Sequence, residues 1–116
     1  MVDEQGQPSA DELELGRIFA ALAEPLRLKV VTELLREEQT IERSCASFCL
    51  PVAKSTLTHH FRVLRESGLV YDVDYGNRRG VRLRRDDLDE RFPGLLDAIG
   101  ASKESAGATT SDALAQ

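Results

Sequence analysis

Apolar residues recur at helical spacing in the first third of the chain, after ten polar residues that predict a flexible arm. The segment "DELELGRIFAAL" predicts a first helix, with Asp11 and Glu12 favourable at its positive N-terminal end. Its apolar positions lie near one helical face: Leu13, Ile18, Phe19 and Leu22. Pro25 suits the first position of a second helix, and "PLRLKVVTELLRE" continues with apolar residues at 26, 30, 31, 34 and 35.

The next stretch, "EQTIERSCASFCLPVAK", has no clear period. Ile41, Cys45, Phe48 and Cys49 are compatible with a short helix, whereas the β-branched and serine-rich content also permits a bent, partly extended segment. Pro51 ends whichever element precedes it, since the residue before a proline disfavours helical backbone angles. Both interpretations stay open at this point.

The segment "KSTLTHHFRVLRESGLV", residues 54–70, predicts a helix with two different faces. Leu57, Phe61 and Leu64 fall within about 60° of one another and form a core stripe, with His60 at its edge as a core residue rather than a ligand. The opposite side is polar and carries Ser55, Thr58, His59, Arg62 and Glu66, while Arg65 lies between the faces. Gly68 follows the helix where a left-handed cap residue is expected.

From residue 69 the period changes to two, and "YGNRRG" supplies a turn, so a β-hairpin is predicted. The predicted inward face consists of Tyr71, Val73, Val81 and Leu83. Asp72 and Asp74 would then pair across the strands with Arg82 or Arg84. Arg78 and Arg79 would stay unpaired at the tip.

Helical spacing returns in "DDLDERFPGLLDAI", which Pro93 is predicted to divide into a short turn and a terminal helix. A chain of 116 residues suits one domain, so we assign a flexible arm to 1–10, a folded domain to 11–99 and a disordered tail to 100–116. The expected fold class is mainly α with one β-hairpin (α+β), in the order of a winged helix-turn-helix. The chain has no membrane-spanning run or signal peptide, so we predict a cytoplasmic protein without a membrane partner.

The charge distribution refines the functional prediction. The net charge of −5 alone argues against nucleic acid, but residues 54–85 carry 8 basic and 3 acidic side chains, whereas residues 1–53 carry 5 and 10 and residues 86–116 carry 2 and 7. A localised positive surface is therefore predicted around the third helix and the hairpin. Local rather than net charge governs attraction to phosphate.

Double-stranded DNA is the partner that this surface predicts. A major groove about 12 Å wide admits one helix, whose short polar side chains approach bases while long cationic ones reach phosphates. The candidate DNA-binding residues of the helix are Lys54, Ser55, Thr56, Thr58, His59, Arg62 and Arg65. Arg78 and Arg79 of the hairpin would follow the backbone or enter the minor groove. No catalytic arrangement stands out, so an enzyme is not predicted, nor is a cofactor.

Three segments, "EPLRLKVVTELL", "KSTLTHHFRVLRESGLV" and "YGNRRGVRLRRDDLDERFPGLL", make residues 11–99 resemble the ArsR (arsenic-repressor-like) family of bacterial transcriptional repressors. The resemblance implies a homodimer that binds a pseudo-palindromic operator and releases it when an effector is sensed. It also implies that the first and last helices form the dimer contact, lined by Leu13, Ile18, Phe19, Leu95, Leu96 and Ile99. The residues specify neither the operator nor the effector.

The cysteines depart from the metal-sensing pattern of that family. Cys45 and Cys49 are spaced Cys-x-x-x-Cys rather than Cys-x-Cys, and no histidine follows Pro93, so no metal site is predicted. The two thiols are either small semi-buried apolar groups or a thiol switch. On a helix their Cβ atoms would be about 5–6 Å apart, whereas a disulfide needs about 3.5–4.5 Å. Oxidation would therefore distort the helix and loosen DNA binding; equal DNA affinity of the oxidised protein and of Cys45→Ser would contradict this.

A second function class uses the same fold. A winged helix can bind a protein instead of DNA, with the basic hairpin docked on an acidic partner. Salt-dependent DNA binding that is lost in Arg62→Ala and Arg79→Ala would favour the regulator. No duplex affinity at low salt would favour the protein-binding module.

Overall fold

The computed structural model describes residues 7–37 and 42–101. The helices are α1 (Leu15–Leu22), α2 (Pro25–Leu35), α3 (Lys54–Ser67), α4 (Arg85–Arg91) and α5 (residues 95–101). The strands are β1 (Arg43–Ser44), β2 (Val70–Asp74) and β3 (Arg79–Leu83), and two 3-10 turns cover Ala10–Glu12 and Cys45–Phe48. The predicted α+β class is confirmed. Residues 1–6 of the predicted arm, Ile41, and residues 102–116 of the predicted tail lie outside the described residues.

The N-terminal segment differs from its prediction in two ways. Asp11 and Glu12 belong to a separate 3-10 turn, because Ser9 and Glu12 form a capping box before α1 begins. Gln7 and Pro8 of the predicted arm are also buried against the folded domain. The backbone N–H of Asp72 donates to Gln7 Oε1 at 2.8 Å, and the Pro8 carbonyl accepts from Arg84.

Helices α2 and α3 follow the predicted pattern closely. Pro25 begins α2, where the Glu24 side chain accepts a hydrogen bond from the Arg27 N–H. In the core stripe of α3, Phe61 and Leu64 are buried and Leu57 is half-buried, and Gly68 caps the end of the helix with φ 86°. A Cβ at position 68 would approach a side-chain carbon of Leu13 to 1.9 Å, so glycine is needed there for space as well as for backbone angle.

The sheet is antiparallel with strand order β1-β3-β2, and the predicted hairpin is confirmed. Its register pairs Asp72 with Val81 and Tyr71 with Arg82. The inward face therefore consists of Val70, Asp72, Val81 and Leu83, all of which are buried. The prediction was right for β3 but wrong for β2, where Tyr71 and Val73 lie on the outer face.

The sequence does not show which face of β2 is buried, because apolar residues occur on both of its alternating sets of positions. Val70 is fully buried, and the Tyr71 hydroxyl donates to Asp87 Oδ2 at 2.9 Å on the outer side. A shift of one residue moves every side chain of a strand to the other face. Strand β1, which extends the hairpin to a third strand, comes from the stretch whose structure the sequence left open.

The C-terminal part confirms the division at Pro93. Helix α4 ends at Arg91, Gly94 takes a φ of 92°, and the chain is helical again over residues 95–101. Leu96 and Ile99 pack into the same core as α1 and α3. Across the described ranges, none of the helices is both long and apolar enough to cross a bilayer.

Candidate nucleic-acid interface

The polar face of α3 is exposed along its first three turns. The six exposed residues are Lys54, Ser55, Thr56, Thr58, His59 and Arg62. On the other side, Phe61 is 3% exposed and packs on Phe48 with ring centroids 5.8 Å apart. The core therefore fixes the rotation of α3 about its axis, and the polar face points away from the protein.

The cationic groups of this face are not neutralised by neighbouring acids. Among residues 7–37 and 42–101, Lys54 and Arg62 have no acidic partner, and Arg62 Nη2 lies 3.4 Å from His59 Nδ1. No side chain caps the start of α3, where Ala53 is the N-cap residue. The uncapped backbone N–H groups at the start of α3, together with Lys54, are therefore suited to binding an anion.

Arg65 does not belong to this outward face, although it was predicted to bind DNA. Its side chain is only 14% exposed, its Nη1 lies 3.5 Å from Asp72 Oδ2, and its Nη2 lies 3.7 Å from Glu66 Oε2. The sequence placed Arg65 between the two faces, and burial together with Asp72 turns it inward. Its charge is therefore already compensated.

The two arginines predicted to stay unpaired at the hairpin tip are paired. Arg79 donates to Asp72 from Nη2 at 2.7 Å and from Nε at 3.2 Å. Arg78 lies 3.6 Å from Glu42 Oε1 and stacks over the Tyr75 ring at 4.2 Å. The prediction was wrong because Asp72 faces inward and because Glu42 comes from outside the hairpin.

The cross-strand ion pairs predicted for the hairpin are also replaced. Asp72 pairs with Arg79 and Arg65 instead of with Arg82 or Arg84. Arg84 is 3% exposed and pairs with Asp87 at 2.9 Å. The register brings Arg79 onto the same side of the hairpin as Asp72, whereas Arg65 and Asp87 come from neighbouring helices.

Arg82 is the outward cation of the hairpin that the sequence reasoning missed. Its side chain is exposed on the outer face and stacks over Tyr71 at 4.4 Å, and it has no acidic partner among the residues that the structure describes. Alternation with the apolar residues Val81 and Leu83 is the sequence signal for its outward position, whereas the predicted ion pair with Asp72 or Asp74 does not form. The outward cations nearest to α3 and the hairpin are thus Lys54, Arg62 and Arg82.

His60 contributes to the support of α3 rather than to its outer face. It is 7% exposed, its Nδ1 lies 3.1 Å from Arg27 Nη1, and its Nε2 lies 3.8 Å from Glu24 Oε2. Because both partners are at the start of α2, His60 links the two helices. The expected position at the core edge agrees with these contacts.

Comparisons with known proteins agree with this geometry. Residues 24–72, from the start of α2 into β2, match the family model described as "Bacterial regulatory protein, arsR family". An ArsR-like transcriptional regulator from Rhodococcus sp. RHA1 has a similar structure, with a TM-score of 0.52 and 28% identity over 87% of this chain and 86% of that one. The HTH-type transcriptional regulator YceK of Bacillus subtilis (strain 168) is 27% identical over 90 residues, which is 78% of this chain and 90% of the relative.

The predicted resemblance to the ArsR family is thereby confirmed over residues 24–72. The matches are to helix-turn-helix transcriptional regulators, which confirms that the chain is a regulator of this kind and not an enzyme. The repressor activity, the homodimer and the operator stay predictions. The winged-helix fold is confirmed as well, since the similarity extends over most of both chains. The matched range contains the whole of α3, so the exposed polar face lies in the segment that matches the family model.

The cysteines of this regulator are not on one helix. Cys45 lies in the 3-10 turn, and Cys49 follows it with a left-handed φ of 51°, so the helical spacing used in the thiol-switch argument does not apply. Burial, followed by the charge of Asp72, raises the pKa of Cys45 to about 11. A neutral thiol is a poor nucleophile. In the described parts of the chain, no group of three or more His, Cys, Asp or Glu residues could hold a metal ion.

The residues that were predicted to line the dimer contact have different positions. Leu13 at 3%, Ile18 at 0% and Leu96 at 4% exposure lie in the chain's own core, as does Ile99 at 8%, so they offer little surface to a partner. Phe19 is 53% exposed. The dimer contact itself stays a prediction, and Phe19 and the half-buried Leu95 are the members of the set with surface to offer it.

Helix α1 has a second, more exposed apolar face, which adds Leu15 to the predicted apolar positions Phe19 and Leu22. Leu15 is 38% exposed, Phe19 is 53% exposed and Leu22 is half-buried. Their i, i+4, i+7 spacing was a usable signal, because a short helix that is apolar on two faces needs a second surface to cover it. We call Leu15, Phe19 and Leu22 the outer stripe of α1.

Proposed function

We propose that this regulator is a repressor that binds a pseudo-palindromic operator as a homodimer. The observation that carries the proposal is the exposed polar face of α3, whose two cations have no acidic partner among the described residues. An uncompensated charge on a helix that fits the major groove is suited to phosphate and base contacts.

The side chains divide into two roles by their place on the interface. Ser55, Thr58 and Arg62 point outward from successive turns and are proposed to contact base edges. Lys54 at the helix start and Arg82 on the hairpin are proposed to contact phosphates on either side of the groove. Arg65, Arg78 and Arg79 have a smaller part in this version of the interface because acids already pair with them.

The dimer is proposed to form through the outer stripe of α1. Three apolar side chains in a row, with Phe19 more than half exposed, are costly to leave in water. A two-fold axis beside α1 would present two copies of α3 to the DNA. Because successive major grooves on one side of a duplex are about 34 Å apart, each copy could enter one groove. Replacing Phe19 by Glu is expected to give a monomer in light scattering, whereas Glu at the exposed position of Asp89 is not.

The decisive experiment is selection of bound duplexes from random DNA by the purified protein. We expect an inverted repeat with half-sites about one helical turn apart. Fluorescence anisotropy on that duplex then compares Arg62→Ala with Glu66→Gln, which alters an exposed residue of the same helix. Failure to enrich any sequence, with no duplex affinity at low salt, would reject the proposal and favour a protein-binding module.

The protein-binding alternative has less support from the contacts. It required a basic hairpin tip that docks on an acidic partner, but Arg78 and Arg79 already pair with Glu42 and Asp72. The unpaired cations instead lie on α3, where a convex helix fits a groove. The selection experiment with and without added metals or oxidant also tests whether an effector changes binding.

A further inference from the structure

Asp72 is a buried acid at the junction between α3 and the hairpin. It is 2% exposed, and it lies on the inward face of the hairpin with Val70 of β2 and with Val81 and Leu83 of β3. Its backbone N–H donates to Gln7, so the N-terminal segment holds this strand from the edge. Burying a carboxylate is costly unless charged partners compensate it.

The charged partners of Asp72 come from the two elements that face DNA in the proposed function. Arg79 of β3 donates two hydrogen bonds to it, at 2.7 and 3.2 Å. Arg65 of α3 approaches Asp72 Oδ2 to 3.5 Å. The same carboxylate therefore ties the end of the recognition helix to the hairpin, and a two-bond fork fixes direction as well as distance.

The pairing also removes positive charge from the surface beside α3. Arg79 is 42% exposed and Arg65 is 14% exposed, so the side chain of Arg79 is near solvent while its charge is compensated. A guanidinium without this partner would be available to any phosphate, and phosphate contacts tighten binding to all sequences alike. Asp72 thus has a route to affect specificity without touching a base.

We propose that Asp72 is a specificity-determining residue, which holds Arg65 and Arg79 in one arrangement between α3 and the hairpin and keeps their charge from binding phosphates indiscriminately. This inference rests on the proposed function. According to this inference, a buried acid that does not contact DNA increases the ratio of the affinity for the operator to the affinity for other DNA. Asp74, two residues further along the same strand, lies opposite Arg79 and acts on its charge without forming an ion pair with it. It is exposed and accepts a hydrogen bond from the Gly76 N–H, so Asp74→Asn controls for the loss of a nearby negative charge while the bonds between Arg79 and Asp72 stay in place.

The test compares Asp72→Asn with Asp74→Asn, which remove one negative charge each from β2. Binding is measured against salt for the duplex selected by the unaltered protein and for a scrambled duplex of the same length. For Asp72→Asn we expect tighter binding to the scrambled duplex, a salt slope steeper by about 0.9 for each arginine that reaches a phosphate, and a specificity ratio reduced about tenfold. Asp74→Asn should keep the ratio within about twofold.

A second pair of variants keeps the inference testable if Asp72→Asn does not fold. Arg79→Lys retains the charge but loses the two-bond fork, whereas Arg78→Lys makes the same change at the neighbouring, more exposed arginine. We expect only Arg79→Lys to lower the specificity ratio, by about threefold. Equal ratios within both pairs of variants would overturn the inference.

A measurement without DNA separates this inference from the proposed function. In a Cys49→Ser background, Asp72→Asn should lower the pKa of Cys45 from about 11, because the Asp72 charge that raises it is removed while Arg79 still lowers it. Asp74→Asn should leave the pKa of Cys45 unchanged, because the charge of Asp74 is not among the causes that shift it. If the titration shifts but the unaltered protein binds no duplex, the proposed function is wrong while the Asp72 arrangement holds. Normal operator binding with an unchanged ratio would refute the role of Asp72 alone.

Discussion

Helix α3 and the β2–β3 hairpin are both basic in sequence, but their charges are used differently in the structure. In α3 the apolar side is buried and the outward cations Lys54 and Arg62 have no acidic partner in the described residues. In the hairpin, Arg78 and Arg79 pair with Glu42 and Asp72. A basic segment therefore predicts a basic surface only when no acid from another element can reach it.

The origin of the compensating acids explains the difference. Glu42 and Asp87 lie outside the basic block of residues 54–85, and they pair with Arg78 and Arg84. Asp72 lies inside the block but faces the core. The exposed side of α3 meets no other element, because its opposite side already packs against the core. The contrast between 8 bases and 3 acids overstates the charge of the hairpin more than that of the helix.

The largest expected effect concerns the anchoring of α3. Leu64→Ala removes a side chain with no exposed surface, so we expect the free energy of unfolding to fall by about 2–5 kcal/mol in urea denaturation. Val73→Ala alters a half-buried residue on the outer face of the hairpin and should cost less than about 1.5 kcal/mol. A similar loss from both variants would show that the outer hairpin face is as tightly packed as the helix.

The next effect compares the two regions in DNA binding. Arg62→Ala should weaken operator affinity by about 1–3 kcal/mol, because Arg62 is an outward cation without an acidic partner. Arg78→Ala should change affinity by less than about threefold, because its charge is already paired with Glu42. Anisotropy titrations at one salt concentration give both values. The comparison between helix and hairpin is wrong if Arg78→Ala is the more damaging change.

The buried face was predicted correctly for α3 but not for β2, because the apolar residues of α3 can be buried in only one rotation of the helix. Phe61 and Leu64 can be buried together only if Ser55 and Arg62 point outward. Strand β2 reads "VYDVD", in which both faces offer apolar residues, and nothing local shows that Val70 is buried instead of Tyr71. The chosen phase depends on contacts from distant residues, such as the hydrogen bond between Tyr71 and Asp87.

The partners of the hairpin arginines could not be predicted for a related reason. Glu42 precedes a two-residue strand that has no period of its own, and β1 pairs with β3 only in the folded chain. Gly80 leaves the space that the Glu42 side chain occupies, since a Cβ there would meet Glu42 Oε1 at 2.6 Å. Sequence spacing contains no information on such contacts between elements. It does indicate the outer stripe of α1, of which Phe19 and Leu22 were predicted as apolar positions and Leu15 was not.

A smaller effect is expected when Arg78 is released. Glu42→Gln removes its acidic partner and weakens the support of Tyr75, whose hydroxyl donates to Glu42 and whose pKa is raised by that hydrogen bond. Binding to a scrambled duplex should tighten about twofold, with a salt slope steeper by at most about 0.9. Glu90→Gln, an exposed acid on α4, is the control of equal charge. Identical salt slopes for the two variants would mean that the Glu42 contact does not restrain Arg78.

The smallest effect concerns the segment behind α3. With a pKa of about 11, Cys45 has only about 0.1% thiolate at pH 8, so iodoacetamide should modify the exposed Cys49 first. Mass spectrometry of partly alkylated protein measures the order, and operator affinity after mild oxidation should stay within about twofold of that of Cys45→Ser. Rapid alkylation of Cys45 would show that the 3-10 turn opens readily. Phe48 of that turn packs on Phe61 of α3. If the turn opens readily, this contact cannot be what fixes the orientation of α3, and the difference between α3 and the hairpin would depend on other core contacts.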